Sequence, residues 1–145
     1  MIGGGVGINF AKQVFNEPTP LAVPVGGFAP GSRYQIVVVP SGGQRFHINI
    51  RNPDGIILHL SARFDESAVV NNSMSDGAWH SEDRFELPFQ PNKVYTLDFI
   101  SKGGIIEINI NGVHFTDFVE RIPSHNANLI EVEGDVHVHA VHIFH

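Results

Sequence analysis

Two pentapeptides of one shape lie close together in FHINIRNPDGIILHLSARF, residues 46–64: His47-x-Asn49-x-Arg51 and His59-x-Ser61-x-Arg63. Alternate positions of a strand share a face, so each copy presents a histidine, a small polar group and an arginine side by side. Beyond them come Asn72 in AVVNNS and then GAWHSEDR, which carries Trp79, Glu82 and Arg84. Trp79 is the single tryptophan, and its neighbours are glycine, alanine, histidine, serine and charged residues rather than the apolar company of a core ring. An exposed aromatic plane beside His, Arg, Asn and Glu suits a saccharide. The ring stacks on the C–H face of a pyranose while fixed polar groups select its hydroxyls. Galactose fits this chemistry best, because its axial O4 leaves one ring face apolar and offers a hydroxyl that donors can discriminate.

Such a face has to be built from strands, and the apolar period is close to two almost everywhere. Tyr34–Val39, Phe46–Ile50, Val94–Phe99 and Ile106–Ile110 each read as a short strand, and no window shows a helical stripe. Turn chemistry separates them at Pro30-Gly31, Pro40-Ser41-Gly42-Gly43, Asn52-Pro53-Asp54-Gly55, Lys102-Gly103-Gly104 and Asn111-Gly112. Asn-Gly is the strongest of these, since a two-residue type I′ hairpin needs positive φ at both central residues. With a turn at Asn52–Gly55 the twin pentapeptides become one hairpin. Asn49 then faces His59, His47 faces Ser61, and Arg51 lies roughly opposite Ile57. All six polar side chains share a face, and Phe46, Ile48, Ile50, Leu58, Leu60 and Phe64 fill the other. Many short strands in a small chain predict an all-β antiparallel sandwich or barrel.

The chain has 145 residues, enough for one domain with a real core. Its formal charge is −6 with no Lys/Arg cluster, which argues against nucleic acid as a partner. No apolar run approaches the roughly 18 residues of a membrane span, so no membrane insertion is expected. The absence of cysteine removes disulfides, thiol catalysis and thiolate metal sites. MIGGGVGINF lacks the pattern of a secretory signal, so cytoplasmic synthesis is expected, with any extracellular role reached by non-classical secretion.

The residues also resemble a known family, the galectins, whose signature is H-x-N-P-R, then V-x-N, then W-G-x-E-x-R. His59-Leu60-Ser61-Ala62-Arg63-Phe64, Val70-Asn71-Asn72 and Trp79-His80-Ser81-Glu82-Asp83-Arg84 are similar to these in order and spacing. Further landmarks resemble it along the chain: Gly26–Gly31, Leu87-Pro88-Phe89, Ile110–Phe115, Phe118 with Arg121 and Pro123, and Glu133–Val136. The resemblance implies a jelly-roll-like sandwich of two antiparallel sheets, galectin or concanavalin-like, with a sugar groove across the concave sheet. It assigns residues 13–145 to one carbohydrate-recognition domain and leaves 1–12 as a flexible N-terminal segment. By the same resemblance His59, Ser61 and Arg63 form the first motif, with His59 and Arg63 addressing O4. Asn72 and Glu82 would address O6, Trp79 the ring face, and Arg84 with Glu82 the next sugar. Glu82 is also expected to hold the Arg63 guanidinium by charge-assisted hydrogen bonds. His47, Asn49 and Arg51 fall where the groove extends, as a subsite for a second sugar or a 3-substituent.

The implied function is non-covalent binding of β-galactoside glycans on glycoproteins or glycolipids, without cofactor, metal or catalysis. A two-fold homodimer would add avidity. Three departures from the family pattern predict altered or weakened preference: Ser61 in place of asparagine, Ala62 in place of proline and His80 in place of glycine. The alternative is a galectin-like domain that acts through protein contacts. A glucanase-type E-x-D-x-x-E would need an acid where Arg84 stands, so no enzyme is expected. His137, His139, His142 and His145 near the C-terminus read as exposed imidazoles rather than a metal site.

Overall fold

The computed structural model describes residues 12–144. Residues 1–11, and with them nearly all of the expected N-terminal segment, lie outside the described residues; Lys12 opens the first strand. The strands are β1 Lys12–Phe15, β2 Leu21–Pro24, β3 Arg33–Pro40, β4 Arg45–Asn52, β5 Gly55–Arg63, β6 Ala68–Ser75, β7 Ala78–Trp79, β8 Asp83–Glu86, β9 Tyr95–Ser101, β10 Ile105–Ile110, β11 Val113–Val119, β12 Leu129–Gly134 and β13 Val136–Phe144. They form two antiparallel sheets: a six-stranded one in the order β1-β13-β3-β9-β10-β11, and a seven-stranded one in the order β2-β12-β4-β5-β6-β7 with β8 also on β6. The fold is the predicted sandwich, and no helix occurs among the described residues.

Alternation along the strands builds the core between the sheets. Tyr34, Ile36 and Val38 of β3, Leu97 and Phe99 of β9, and Ile106 and Ile108 of β10 are fully buried. Ile48 and Ile50 of β4, Leu58 and Leu60 of β5, and Ile130 and Val132 of β12 meet them from the other sheet in one cluster. Each such side chain stabilises by about 1.5–3 kcal/mol on burial, so the sandwich stands without cross-links. The opposite face of β4, β5, β6 and β12 is thereby left to carry polar groups.

The site hairpin has the expected register: Asn49 pairs with His59 and His47 with Ser61. Arg51, however, pairs with Ile56 rather than Ile57, because the ladder slips between Ile50 and Arg51. Ile57 is the extra residue of this bulge; its side chain is fully buried, and its carbonyl accepts a 2.9 Å bond from the Ser73 hydroxyl. At the turn, the Asn52 side-chain oxygen accepts the backbone N–H of Asp54 (3.0 Å) and of Gly55 (2.8 Å). A Cβ on Gly55 would collide with the Met74 carbonyl, so glycine there lets β6 close against β5. At the β10–β11 hairpin, Asn111 (φ 51°) and Gly112 (φ 78°) supply the two positive φ values that the sequence signalled.

Candidate functional site

Cross-strand pairing sets the polar side chains in rows across the seven-stranded sheet. One row runs Glu131, Asn49, His59, Asn72 from β12 through β4 and β5 to β6. The next runs Glu133, His47, Ser61, Val70, Arg84 from β12 to β8. The β6–β7 turn, with Asp76 (φ 54°) and Gly77 (φ 74°), folds β7 back so that Trp79 pairs with Met74. His59, Arg63, Val70, Asn72, Trp79, His80 and Glu82 then surround a cavity of about 250 Å³. Trp79 is 49% exposed, and its ring lies 4.8 Å from that of His59. Five of the seven residues singled out for the primary site line this cavity; Ser61 and Arg84 do not.

His59 has its chemistry set by its row. Its Nδ1 donates to Oδ1 of Asn49 at 2.6 Å, while Nδ2 of Asn49 donates to Oε1 of Glu131 at 3.1 Å. A carboxylate only accepts, so the Asn49 nitrogen must face Glu131 and its oxygen must face His59. The imidazole proton therefore sits on Nδ1, and Nε2 is left as an acceptor. Burial, reinforced by His47 and Arg63, pushes the His59 pKa from 6.5 down to about 4. The neutral ring thus offers a lone pair at neutral pH. Arg51 donates from Nε to the same Glu131 oxygen at 2.6 Å. Asn49 and Arg51, expected to contact an extended ligand, are thus both bonded to Glu131, with Asn49 also holding His59. His47 lies 3.5 Å from Glu133, with its ring 5.1 Å from that of His59.

Arg63 is held differently from expectation. Its Nη2 stands 3.9 Å from Glu82, too long for a hydrogen bond. Nε donates instead to the Ser61 hydroxyl at 3.2 Å, and Nη1 to Glu66 at 3.3 Å. Glu66 also accepts from Arg84 Nη2 at 2.6 Å and from Arg45 Nη2 at 2.7 Å, so three arginines converge on it. The bond from Arg84, ahead of those from Arg63 and Arg45, holds the Glu66 carboxyl below its ordinary pKa. Arg84 makes a second bond, from Nη1 to Glu82 at 3.3 Å. The sequence reading missed Glu66 and Glu131. The signal for Glu66 is an acidic pair, Asp65-Glu66, directly after the Arg63 strand; for Glu131 it is the alternation of Glu131 and Glu133 on a late strand.

The three departures have local explanations. Ser61 is only 5% exposed and serves the Arg63 guanidinium from the floor of the sheet. Ala62 faces the core, where it is fully buried. His80 does not adopt positive φ, so the backbone there requires no glycine. Its Nε2 lies 2.8 Å from the Ser75 hydroxyl, and its carbonyl accepts from Asn72 Nδ2 at 3.1 Å. Away from the cavity, the rings of His137 and His139 are 5.2 Å apart; His145 lies outside the described residues.

A family model described as galactoside-binding lectin matches residues 19–143. The chain belongs to the galectin family. It is similar to the galectin LEC-6 of Caenorhabditis elegans, whose crystal structure superposes with a TM-score of 0.91 at 58% identity, covering 96% of this chain and 100% of that one. Human galectin-7 is 31% identical over 89% of this chain and 98% of its own length. A 32 kDa beta-galactoside-binding lectin of Haemonchus contortus is 30% identical over 72% of this chain, which spans only 38% of that protein. Galectin membership accounts for the sandwich of two antiparallel sheets.

Proposed function

We propose that this galectin is a lectin that holds β-galactoside glycans of glycoproteins or glycolipids non-covalently over Trp79. The observation that carries the reading is the cavity itself: an open indole face beside a neutral His59 acceptor, with Arg63, Asn72 and Glu82 around the remaining walls. A pyranose laid on the indole would meet Nε2 of His59 and the Arg63 guanidinium at one hydroxyl, and Asn72 with Glu82 at another. Arg84, bonded to both Glu82 and Glu66, would reach the following sugar. The Haemonchus relative, by its name a β-galactoside binder, supports the choice of sugar. Because Ser61 turns its hydroxyl to Arg63, it brings no amide to the ligand. Losing one such bond lowers affinity by up to about tenfold. Weakened or altered preference among galactosides is therefore part of the proposal, and a homodimer would offset it through avidity.

The test is a calorimetric titration with lactose, N-acetyllactosamine, a 3-substituted galactoside and a glucose disaccharide, with Trp79→Ala as control. Galactoside binding lost in the variant is the expected result. No binding to any sugar at millimolar concentration would overturn it in favour of a domain acting through protein contacts.

A further inference from the structure

Asn72 lines the cavity, yet its amide is set from outside it. Ring and wall residues can be read from the cavity lining, whereas Arg121 lies on the segment after β11 and is absent from that lining. Its Nη1 donates to Oδ1 of Asn72 at 3.1 Å, and its Nη2 to Oδ2 of Asp83 at 3.4 Å. The guanidinium also covers the Phe118 ring, with Cζ 4.9 Å from the centroid. Asn72 is 5% exposed, so its polar ends have few alternative partners.

From these bonds we infer that Arg121 is a positioning residue for ligand recognition. An arginine can only donate, so it pins the amide oxygen on the side away from the ligand, together with the Ser73 N–H at 2.8 Å. The amide nitrogen is thereby turned to the carbonyl of His80, which lines the cavity with Asn72. One of its two hydrogens bonds to that carbonyl, and the other is left to donate to a hydroxyl oxygen of the ligand. A charged donor on the carbonyl side also polarises the amide and strengthens its N–H groups. Through Asp83, the same guanidinium ties down the start of β8 directly after Glu82. One residue outside the cavity thus fixes two of its walls. Lysine could reach one of these acceptors but not fork between both.

The segment that carries Arg121 is itself anchored. Asn52 donates from its side chain to the Pro123 carbonyl at 3.1 Å, and the Asn128 N–H donates to the Arg51 carbonyl at 2.9 Å. The loop is therefore braced against β4, the strand that also orients His59.

This inference rests on the carbohydrate reading for its ligand but not for its geometry, and the experiment has an arm for each. In the free protein, the Asn72 side-chain amide protons are followed by ¹⁵N-resolved NMR in wild type, Arg121→Met and Arg121→Lys. Two distinct protons are expected in wild type, the one bonded to the His80 carbonyl exchanging slowly with water, with faster exchange of that proton in Arg121→Met and partial recovery in Arg121→Lys. Unchanged exchange in Arg121→Met would overturn the inference, whatever the ligand proves to be. In the second arm lactose affinity is measured in a double-mutant cycle with Asn72→Ala. Arg121→Met is expected to weaken binding about tenfold in wild type and less than twofold in the Asn72→Ala background. Additive losses would show that Arg121 acts only on general stability and would overturn the positioning role. Absence of lactose binding in wild type, with the amide still Arg121-dependent, would count against the sugar reading alone.

Discussion

Nδ1 of His59 and Oδ1 of Asn49 stand 2.6 Å apart, on paired positions of neighbouring strands. This contact explains why the chain carries the His-x-polar-x-Arg shape twice. The β5 copy faces the cavity, and the β4 copy holds it in one tautomer. Asn49 fixes the His59 proton, Glu131 fixes the Asn49 amide, and Arg51 neutralises Glu131.

Replacing Asn49 by alanine removes that hold. The His59 N–H then loses its acceptor in a half-buried setting, and the ring is free to turn or to change tautomer. Lactose affinity should fall about five- to tenfold, the worth of one good hydrogen bond. Asn49→Asp keeps an acceptor towards Nδ1 but sets two carboxylates together against Arg51. It should disturb stability more than alanine does. Calorimetry with the two variants and a melting curve for each checks both statements; full affinity in Asn49→Ala would leave His59 oriented by something other than its row.

Binding should vary little with pH until the medium is distinctly acid. A ligand hydroxyl that donates to Nε2 needs neutral His59, whose pKa burial has moved to about 4. Affinity should therefore hold from neutrality to about pH 5 and drop as pH approaches 4. Stability has the same sign but a wider window. An unfolded imidazole titrates near 6.5, so between that value and about 4 the unfolded chain binds a proton that the folded chain does not. The contribution of His59 is complete above the unfolded value and drains away as pH falls through the window. Titrations and melts across this range test it; an affinity already about fourfold lower near pH 6 would mean an ordinary, solvated imidazole.

Part of this site was legible before the fold was known. Period-two alternation with Asn52–Gly55 as the turn placed Asn49 against His59 and His47 against Ser61, because a hairpin is local and its register follows from its turn. The one-residue slip at Ile57 was not legible, since nothing in an unbroken run of Ile56, Ile57 and Leu58 says which residue bulges. Glu131 was missed for a different reason. It meets Asn49 across 82 positions, through a β12–β4 pairing that only the completed sheet defines. Glu66 went unremarked because it lies in a turn, and its meaning depends on three arginines brought to it from β4, β5 and β8.

Glu66 should matter more to binding than its place in a turn suggests. Glu66→Gln keeps the shape but removes the charge that draws Arg45, Arg63 and Arg84 together. With its anchor weakened, Arg63 should swing towards Glu82, and lactose affinity should fall by roughly tenfold. The network is largely exposed, so the melting temperature should move by only a few degrees. Unchanged affinity would mean that Ser61 alone is enough to hold Arg63.

Trp79→Ala separates recognition from folding most sharply. The ring leans on His59 and 49% of the residue is exposed, and Trp79 is not part of the buried cluster, so little core is lost with it. The melting temperature should change by less than a few degrees, in keeping with surface substitutions. Sugar binding should become undetectable, because the C–H face of the pyranose loses the indole plane on which it stacks. Trp79→Phe restores a smaller plane on the same β7 backbone and should bind measurably but less tightly than wild type. If Trp79→Phe were as dead as Trp79→Ala while both stayed folded, the indole N–H rather than its face would be the group that the ligand needs.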